Sequence, residues 1–287
     1  MVARPIGFRR ILTAAASGLL LALATVAGGA RAQGKLDATY VVTLAGVPIG
    51  RGTWMIDIGD DQYLAAANGK TTGLLRMFAN GEGATASRGY VSNGRLIPST
   101  YASTITSDKN TEELHITLSG GNVKDYAVEP PIPPHPDRIP LTEAHRHGVI
   151  DPMSGALALV PGTGDLLAPE TCNRKVAVFD GHLRYDLKLA FKRMDTVRAE
   201  TGYRGPAVVC ALYFSPIAGY VPERKAIKYL VAQRDMESWL VPLAGTRFVV
   251  PFRVSVPTPL GLGVLEAIRF ETTAVPRRAS ASNIKVQ

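Results

Sequence analysis

Local catalytic and cofactor signatures are missing from this sequence. It contains no GxSxG, HExxH or EF-hand pattern, which removes the local signatures of esterase-like hydrolases, zinc peptidases and calcium loops. The segment Asn68-Gly69-Lys70-Thr71 lacks the earlier glycine of a phosphate-binding loop, because Leu64 stands there, and it suggests a turn. Gly261-Leu262-Gly263 lacks the third glycine of a dinucleotide fingerprint, because Glu266 takes its place. We therefore expect no cofactor.

Long apolar runs and clustered charge are also missing beyond residue 32. No stretch there is long and apolar enough to cross a bilayer, so we expect no transmembrane segment in residues 33–287. The formal charge is +8, and removing the four arginines of residues 1–32 leaves +4. The remaining lysines and arginines occur singly or in pairs, which is not typical of a nucleic-acid surface.

The N-terminus has the three zones of a secretory signal. Three arginines and no acidic residue come first: Arg4, Arg9 and Arg10. The uncharged stretch Ile11–Ala30 follows, and Ala30-Arg31-Ala32 is a small-x-small cleavage pattern. An uncleaved membrane anchor is the alternative, but the apolar core is short and rich in alanine and glycine. We predict a signal peptide over residues 1–32, cleaved between Ala32 and Gln33.

Cysteine is scarce, with Cys172 and Cys210 as the two present. In an exported chain an even number most simply means one disulfide. Closing a loop of about 38 residues stabilises the fold by about 4 kcal/mol in the chain-entropy treatment. A redox or nucleophilic cysteine is the alternative, but the sequence has no CxxC motif.

Alternating apolar and polar residues predict a mainly β fold. The clearest runs are Leu36–Leu44, Leu114–Leu118, Leu183–Phe191 and Phe248–Val256. Asn-Gly and Asp-Gly pairs and other turn signals separate such runs at intervals typical of antiparallel sheets. The prediction is a large curled antiparallel sheet, of half-barrel or sandwich type, with one or two short helices.

The predicted organisation is one β-rich domain over residues 33–275. A proline-rich segment, residues 130–140, excludes strand and helix and joins the halves 33–129 and 150–275. Asp151-Pro152 predicts a helix start, and a second helix is predicted over about Pro222–Arg234. Residues 276–287 have no periodic apolar face and are predicted to be disordered.

Two sets of side chains are candidates for a binding site. His145 and His147, spaced as His-x-His, are weak metal-ligand candidates that more simply form a solvated pair among arginines. Trp54, Tyr213 and Trp239 are candidates for lining a ligand pocket, although aromatic residues at strand spacing more often belong to the core. Neither set identifies a reaction.

Several segments resemble an uncharacterised family of exported proteobacterial proteins, a domain of unknown function. The segments are Tyr40–Gly50, Val149–Ala156, Cys172–Gly181 with Arg184–Leu187, and Gly205–Cys210. The resemblance implies a periplasmic, mostly antiparallel β domain, similar in shape to the curved half-barrels of lipoprotein carriers. It assigns no catalytic residue.

Three hypotheses of function follow. The first is a non-catalytic binding module of the bacterial periplasm that holds a lipid or other apolar envelope component in a concave pocket. The second is a structural or assembly partner of another envelope protein, using a sheet edge or the proline-rich segment. The third is an enzyme acting on an envelope polysaccharide, which requires titratable side chains that converge in a cleft.

Overall fold

The computed structural model describes residues 33–73, 80–108 and 110–275, and these are mainly β. The predicted signal peptide, with Ala32 at its cleavage point, and the predicted disordered tail lie outside the described residues. The first strands are β1 (Gly34–Leu44), β2 (Val47–Ile58), β3 (Gln62–Thr71), β4 (Gly81–Ser92), β5 (Arg95–Ser107), β6 (Asn110–Ser119), β7 (Asn122–Glu129) and β8 (Ala158–Leu159). The others are β9 (Arg174–Phe179), β10 (Arg184–Arg198), β11 (Thr201–Gly202), β12 (Arg204–Ala218), β13 (Met236–Pro242), β14 (Phe248–Thr258) and β15 (Gly261–Ala274).

The strands form one curled sheet that does not close, as the alternating pattern predicted. Its order is β7-β6-β5-β4-β3-β2-β1-β15-β14-β13-β12-β10-β9, with β8 beside β14 and β11 beside β15. Neighbours are antiparallel except for β11, which runs parallel to β15. Because β1 pairs with β15, the first and last described strands connect the halves on either side of the proline-rich segment.

A short segment links the two ends of this strand order. The amide of Val149 donates to the carbonyl of Gly121 beside β7 at 2.8 Å. The amide of Ile150 donates to Ala177 of β9 at 2.9 Å, and its carbonyl accepts from the Phe179 amide at 3.0 Å. We call residues 147–150, together with the side chains of Tyr126 and Phe179, the seam.

Among the described residues, two short α-helices accompany the sheet, α1 (Pro152–Gly155) and α2 (Lys225–Ala232). The predicted helix start is confirmed, because the Asp151 carboxylate accepts a hydrogen bond from the Ser154 amide at 2.9 Å. The helix stops after one turn, since the following chain forms β8 against β14. Residues 130–140 contain neither strand nor helix, as proline at this density predicts.

Most of the buried apolar residues in the described part of the chain form two clusters. The larger lies on the face of the sheet that carries Leu36, Ala38, Tyr40, Trp54 and Ile56, and we call it the inner face. The smaller lies on the opposite face of β12, β13 and β14, where residues 158–172 cover it. Cys172 and Cys210 are fully buried in the smaller cluster and form the predicted disulfide.

Candidate functional site

The inner face is left open at the end of the sheet where the β1–β2 and β14–β15 hairpins turn. Residues paired across strands share a face. The register therefore places Thr71, Gly50, Val42, Leu265 and Val254 in one row across β3, β2, β1, β15 and β14. Two adjoining hollows, of about 670 and 530 Å³, lie along this surface and share Val42, Ile49 and Leu265.

We call this surface the groove, and its walls are formed mainly by aliphatic side chains: Val42, Leu44, Ile49, Ile105, Val254, Val256, Leu260 and Leu265. The polar side chains of Arg51, Asn68, Lys70 and Glu82 also line its part over β2, β3 and β4. Ile105 is 53% exposed, Leu260 is 76% exposed and Leu265 is 37% exposed. Several large apolar side chains are therefore exposed along the same groove, and an exposed apolar patch of this kind often marks a binding surface.

Glycines form the floor of the groove. Gly52, Gly69 and Gly83 pair in succession across β2, β3 and β4, and the row continues to Ile105 on β5. A Cβ on Gly52 would lie 2.5 Å from the carbonyl oxygen of Asn68, so the two backbones can approach this closely only without a side chain there. The missing side chains leave a depression between the aliphatic walls.

Tyr40 separates the groove from the packed core. It pairs with Gly52 on one side and with buried Ala267 on the other. Its hydroxyl donates to the carbonyl of Pro251 at 2.8 Å, and burial raises the pKa of this phenol. The ring of Trp54 lies 6.5 Å from that of Tyr40, on the core side of the boundary.

A polar network inside the core holds α1 against β3 and β4. The Ser154 hydroxyl lies 2.6 Å from that of Tyr63 and 2.9 Å from that of Ser87, which donates to Asp151 at 3.0 Å. Burial raises the pKa of Asp151, and burial together with the Asp151 charge raises the pKa of Tyr63 to about 12. All four side chains are buried, so the network positions α1 rather than facing a ligand.

A second hollow, of about 550 Å³, lies between the proline-rich segment and the start of α2. We call it the cleft, and it is lined by Glu112, Pro130–Pro133, Arg138, His182, Leu183, Gly219–Val221, Arg224, Ala226 and Ile227. His182 Nε2 lies 2.9 Å from Glu112 Oε1. This is a converging pair of titratable side chains of the kind that the enzyme hypothesis requires, and the described residues that line the cleft include one carboxylate and no serine, threonine, cysteine or lysine.

The three aromatic pocket candidates lie apart from the groove. Trp54 is buried in the core, and Tyr213 is half-buried on β12 opposite Lys188. Trp239 is buried at the edge of the core, where the guanidinium groups of Arg193 and Arg253 lie 5.3 and 4.7 Å from the centre of its ring. None of the three is among the residues that line the groove or the cleft.

Arg193, whose guanidinium contacts the Trp239 ring, also binds Glu237. Both carboxylate oxygens of Glu237 accept hydrogen bonds from Arg193 at 2.9 Å. Hydrogen bonds from Arg193 and, to a lesser degree, from Lys192 outweigh desolvation and lower its pKa from 4.5 to about 2. The folded state therefore favours ionised Glu237. Its contribution to stability is complete above about pH 4.5 and is lost as the pH falls towards 2.

We expect Glu237→Gln to change the pH dependence of the unfolding free energy between about pH 4.5 and pH 2. Urea unfolding at successive pH values should show a stability difference from the parent that is largest near neutral pH and vanishes near pH 2. The control is Arg193→Gln, in whose background Glu237→Gln should have a smaller effect. A difference that stays constant from pH 7 to pH 2 would contradict the assignment.

The two histidine candidates for metal binding have polar partners within the chain. His145 Nδ1 accepts from the Thr142 amide at 3.1 Å at the start of a short 3-10 turn. His147 Nδ1 lies 3.0 Å from the Asn122 side-chain oxygen and holds the seam beside β7. Within the described ranges, no group of three or more histidine, cysteine, aspartate or glutamate side chains is arranged to hold a metal ion.

Sequence reasoning missed the groove. The suggested turn at Asn68–Thr71 was wrong, because these residues complete β3. The available signal was the set of glycines spaced by two inside β2 and β4, namely Gly50, Gly52, Gly81 and Gly83. Glycine within a strand marks a bulge or a place where something approaches the backbone closely.

Comparisons with known proteins identify a family but no function. The family profile described as "Protein of unknown function (DUF3108)" matches residues 39–267. No curated protein and no solved structure matches the chain. Among the described residues, no helix has the length and apolar character needed to span a membrane.

Proposed function

The chain belongs to the DUF3108 family, whose function is unknown, and we propose that it is a periplasmic binding module that holds the hydrocarbon chain of a lipid in the groove. The observation that carries this proposal is the set of exposed aliphatic side chains around a glycine floor on the open end of the inner face. Its walls present hydrocarbon and its floor presents glycine backbone, which suits a long apolar ligand better than a polar one.

The groove has the length that an acyl chain needs. It runs from Ile105 on β5 to Val254 on β14, which are seven neighbouring strands. Six spacings of about 4.8 Å give about 29 Å along the sheet. One leaflet of a bilayer is about 15 Å of hydrocarbon, so a single acyl chain fits within the groove.

The disulfide supports a location outside the cytoplasm. A bond between Cys172 and Cys210 persists in an oxidising compartment such as the periplasm. Export through the predicted signal peptide would bring the chain there and leave Gln33 as the first residue. A lipid carried in this compartment would be a component of the cell envelope.

Native mass spectrometry of the protein purified from its own compartment, without detergent, tests the proposal directly. We expect a chain that begins at Gln33, is lighter by two hydrogens, and carries an extra mass that leaves on denaturation. Lipid extraction should recover the same mass. A purified protein that is empty and that also fails to bind added lipid would overturn the proposal.

Gly69→Leu should block the groove. A Cβ on Gly69 would meet its nearest neighbours, Arg51 O and Gly52 Cα, at 3.7 and 3.9 Å, so the backbone accepts the side chain. The leucine would occupy the floor of the groove. We expect the affinity for dodecanoyl lysophosphatidylcholine, measured by displacement of N-phenyl-1-naphthylamine, to fall at least tenfold.

The matched control is Ala66→Leu, which adds a leucine to the outer face of the same strand, opposite exposed Met55. It should change the affinity less than twofold. In the parent protein, each pair of methylenes added between decanoyl and tetradecanoyl chains should raise the affinity about fifteenfold, at about 0.8 kcal/mol per methylene. Unaltered binding by Gly69→Leu, or an equal loss in the control, would contradict the groove as the site.

A further inference from the structure

The cleft shares no lining residue with the groove and differs from it in chemistry. We propose that the cleft is a second binding site, for a ligand that joins an oxyanion, either carboxylate or phosphate, to a small apolar body. The proposal is independent of lipid binding in the groove, because different residues carry it.

Two guanidinium groups line the cleft without an internal counter-ion. Of the salt bridges that the described residues form, none involves Arg138 or Arg224. The Nε–H of Arg138 is buried and has no hydrogen-bond acceptor among these residues. A buried donor without a partner is costly, and a planar guanidinium pairs best with carboxylate or phosphate oxygens.

The acidic side chain that lines the cleft already has a partner. Glu112 is the acidic residue among the lining side chains, and it lies within hydrogen-bond distance of His182. The nearby Asp180 carboxylate accepts from the backbone amides of His182 and Leu183 at 2.9 and 2.6 Å. Neither Glu112 nor Asp180 forms a salt bridge with Arg138 or Arg224, so a ligand oxyanion can pair with the two guanidinium groups.

The apolar walls of the cleft are held in place before a ligand arrives. Prolines 130, 131 and 133, whose rings fix the backbone angle φ, form one wall, and Val221 and Ile227 belong to another. The Ile139 amide donates to Tyr220 at 2.9 Å, and the Gly219 amide donates to Ile139 at 2.8 Å. These bonds attach the proline-rich segment to the chain before α2, so a ligand would lose little free energy in ordering the two segments.

Benzoate and phenyl phosphate are suitable probes, with benzamide as the neutral control of the same shape. Each would be titrated into the full mature protein while nuclear magnetic resonance follows the Arg138 Nε–H signal. We expect saturable shifts with at least one of the anions and affinity at least tenfold weaker for benzamide. The anion that binds more tightly identifies the ligand as a carboxylate or a phosphate.

Variants separate the cleft from general charge attraction. Arg138→Gln and Arg224→Gln should each weaken binding of the anion at least tenfold, with isothermal calorimetry as the measure. Lys225→Gln removes a positive charge next to Arg224 but outside the cleft, and should change affinity less than twofold. If Arg138→Gln lowers the melting temperature, exposed Arg224→Gln still tests the site.

Three results would overturn the proposal. The first is the absence of saturable binding by both anions, and the second is benzamide binding as tightly as benzoate. The third is an equal loss of affinity in Lys225→Gln and Arg224→Gln, which would mean that the anions respond to surface charge alone.

Discussion

Replacing Cys172 and Cys210 together with alanine should lower the free energy of unfolding by about 4 kcal/mol. The bond closes a loop of 38 residues, and opening that loop gives the unfolded chain more conformations. For a domain of this size, the melting temperature should fall by about 8 to 16 °C. Differential scanning calorimetry of both proteins, with the bond confirmed in the parent by mass, measures the change.

The double variant should still fold, because other contacts hold the covering segment. The Val160 amide donates to Arg247 at 2.8 Å, and the Arg174 guanidinium donates to Leu159 at 3.0 Å. Alanine avoids placing a hydroxyl in this fully buried site. Treating the parent with a reductant should reproduce the loss. An unchanged melting temperature in both cases would mean that the bond contributes nothing to stability.

Local alternation was sufficient to predict the strands whose one face is buried. In β1, Leu36, Ala38 and Tyr40 are buried while the residues between them are more exposed, which is the pattern that identified the strand. The helix start at Asp151 was also predictable, because an N-cap acts within one turn of chain. Both are properties of consecutive residues.

The groove and the cleft depend on contacts between distant residues. Val42 meets Leu265 only because β1 pairs with β15, and no local pattern specifies that register. Arg138 and Arg224 line one cleft although they lie in separate segments. The aromatic candidates were chosen by residue type. The groove is built from aliphatic residues and glycine, so residue type alone did not predict its lining.

The seam shows how the two halves of the chain depend on each other. Tyr126 of β7 and Phe179 of β9 meet edge to face, with ring centres 5.1 Å apart. Phe179 is fully buried, and its amide binds Ile150 in the seam. The aromatic contact therefore joins strands at opposite ends of the strand order, in addition to the pairing of β1 with β15.

Phe179→Ala should cost about 3 to 5 kcal/mol of unfolding free energy, because it leaves a cavity where the halves meet. Urea unfolding measures this loss, and Phe179→Leu should lose less because it retains more of the volume. The matched control is Phe214→Ala, which removes a half-buried ring on β12 whose aromatic contact is with Tyr185 and not with Tyr126 or Phe179. It should cost less than Phe179→Ala.

Hydrogen exchange can separate a local effect at the seam from a general loss of stability. The amides of Val149 and Ile150 bind opposite ends of the strand order, so Phe179→Ala should speed their exchange more than that of Val209 in the core. Phe214→Ala should not produce this difference. Uniform acceleration of all three amides in Phe179→Ala would mean that the seam opens only when the whole domain unfolds.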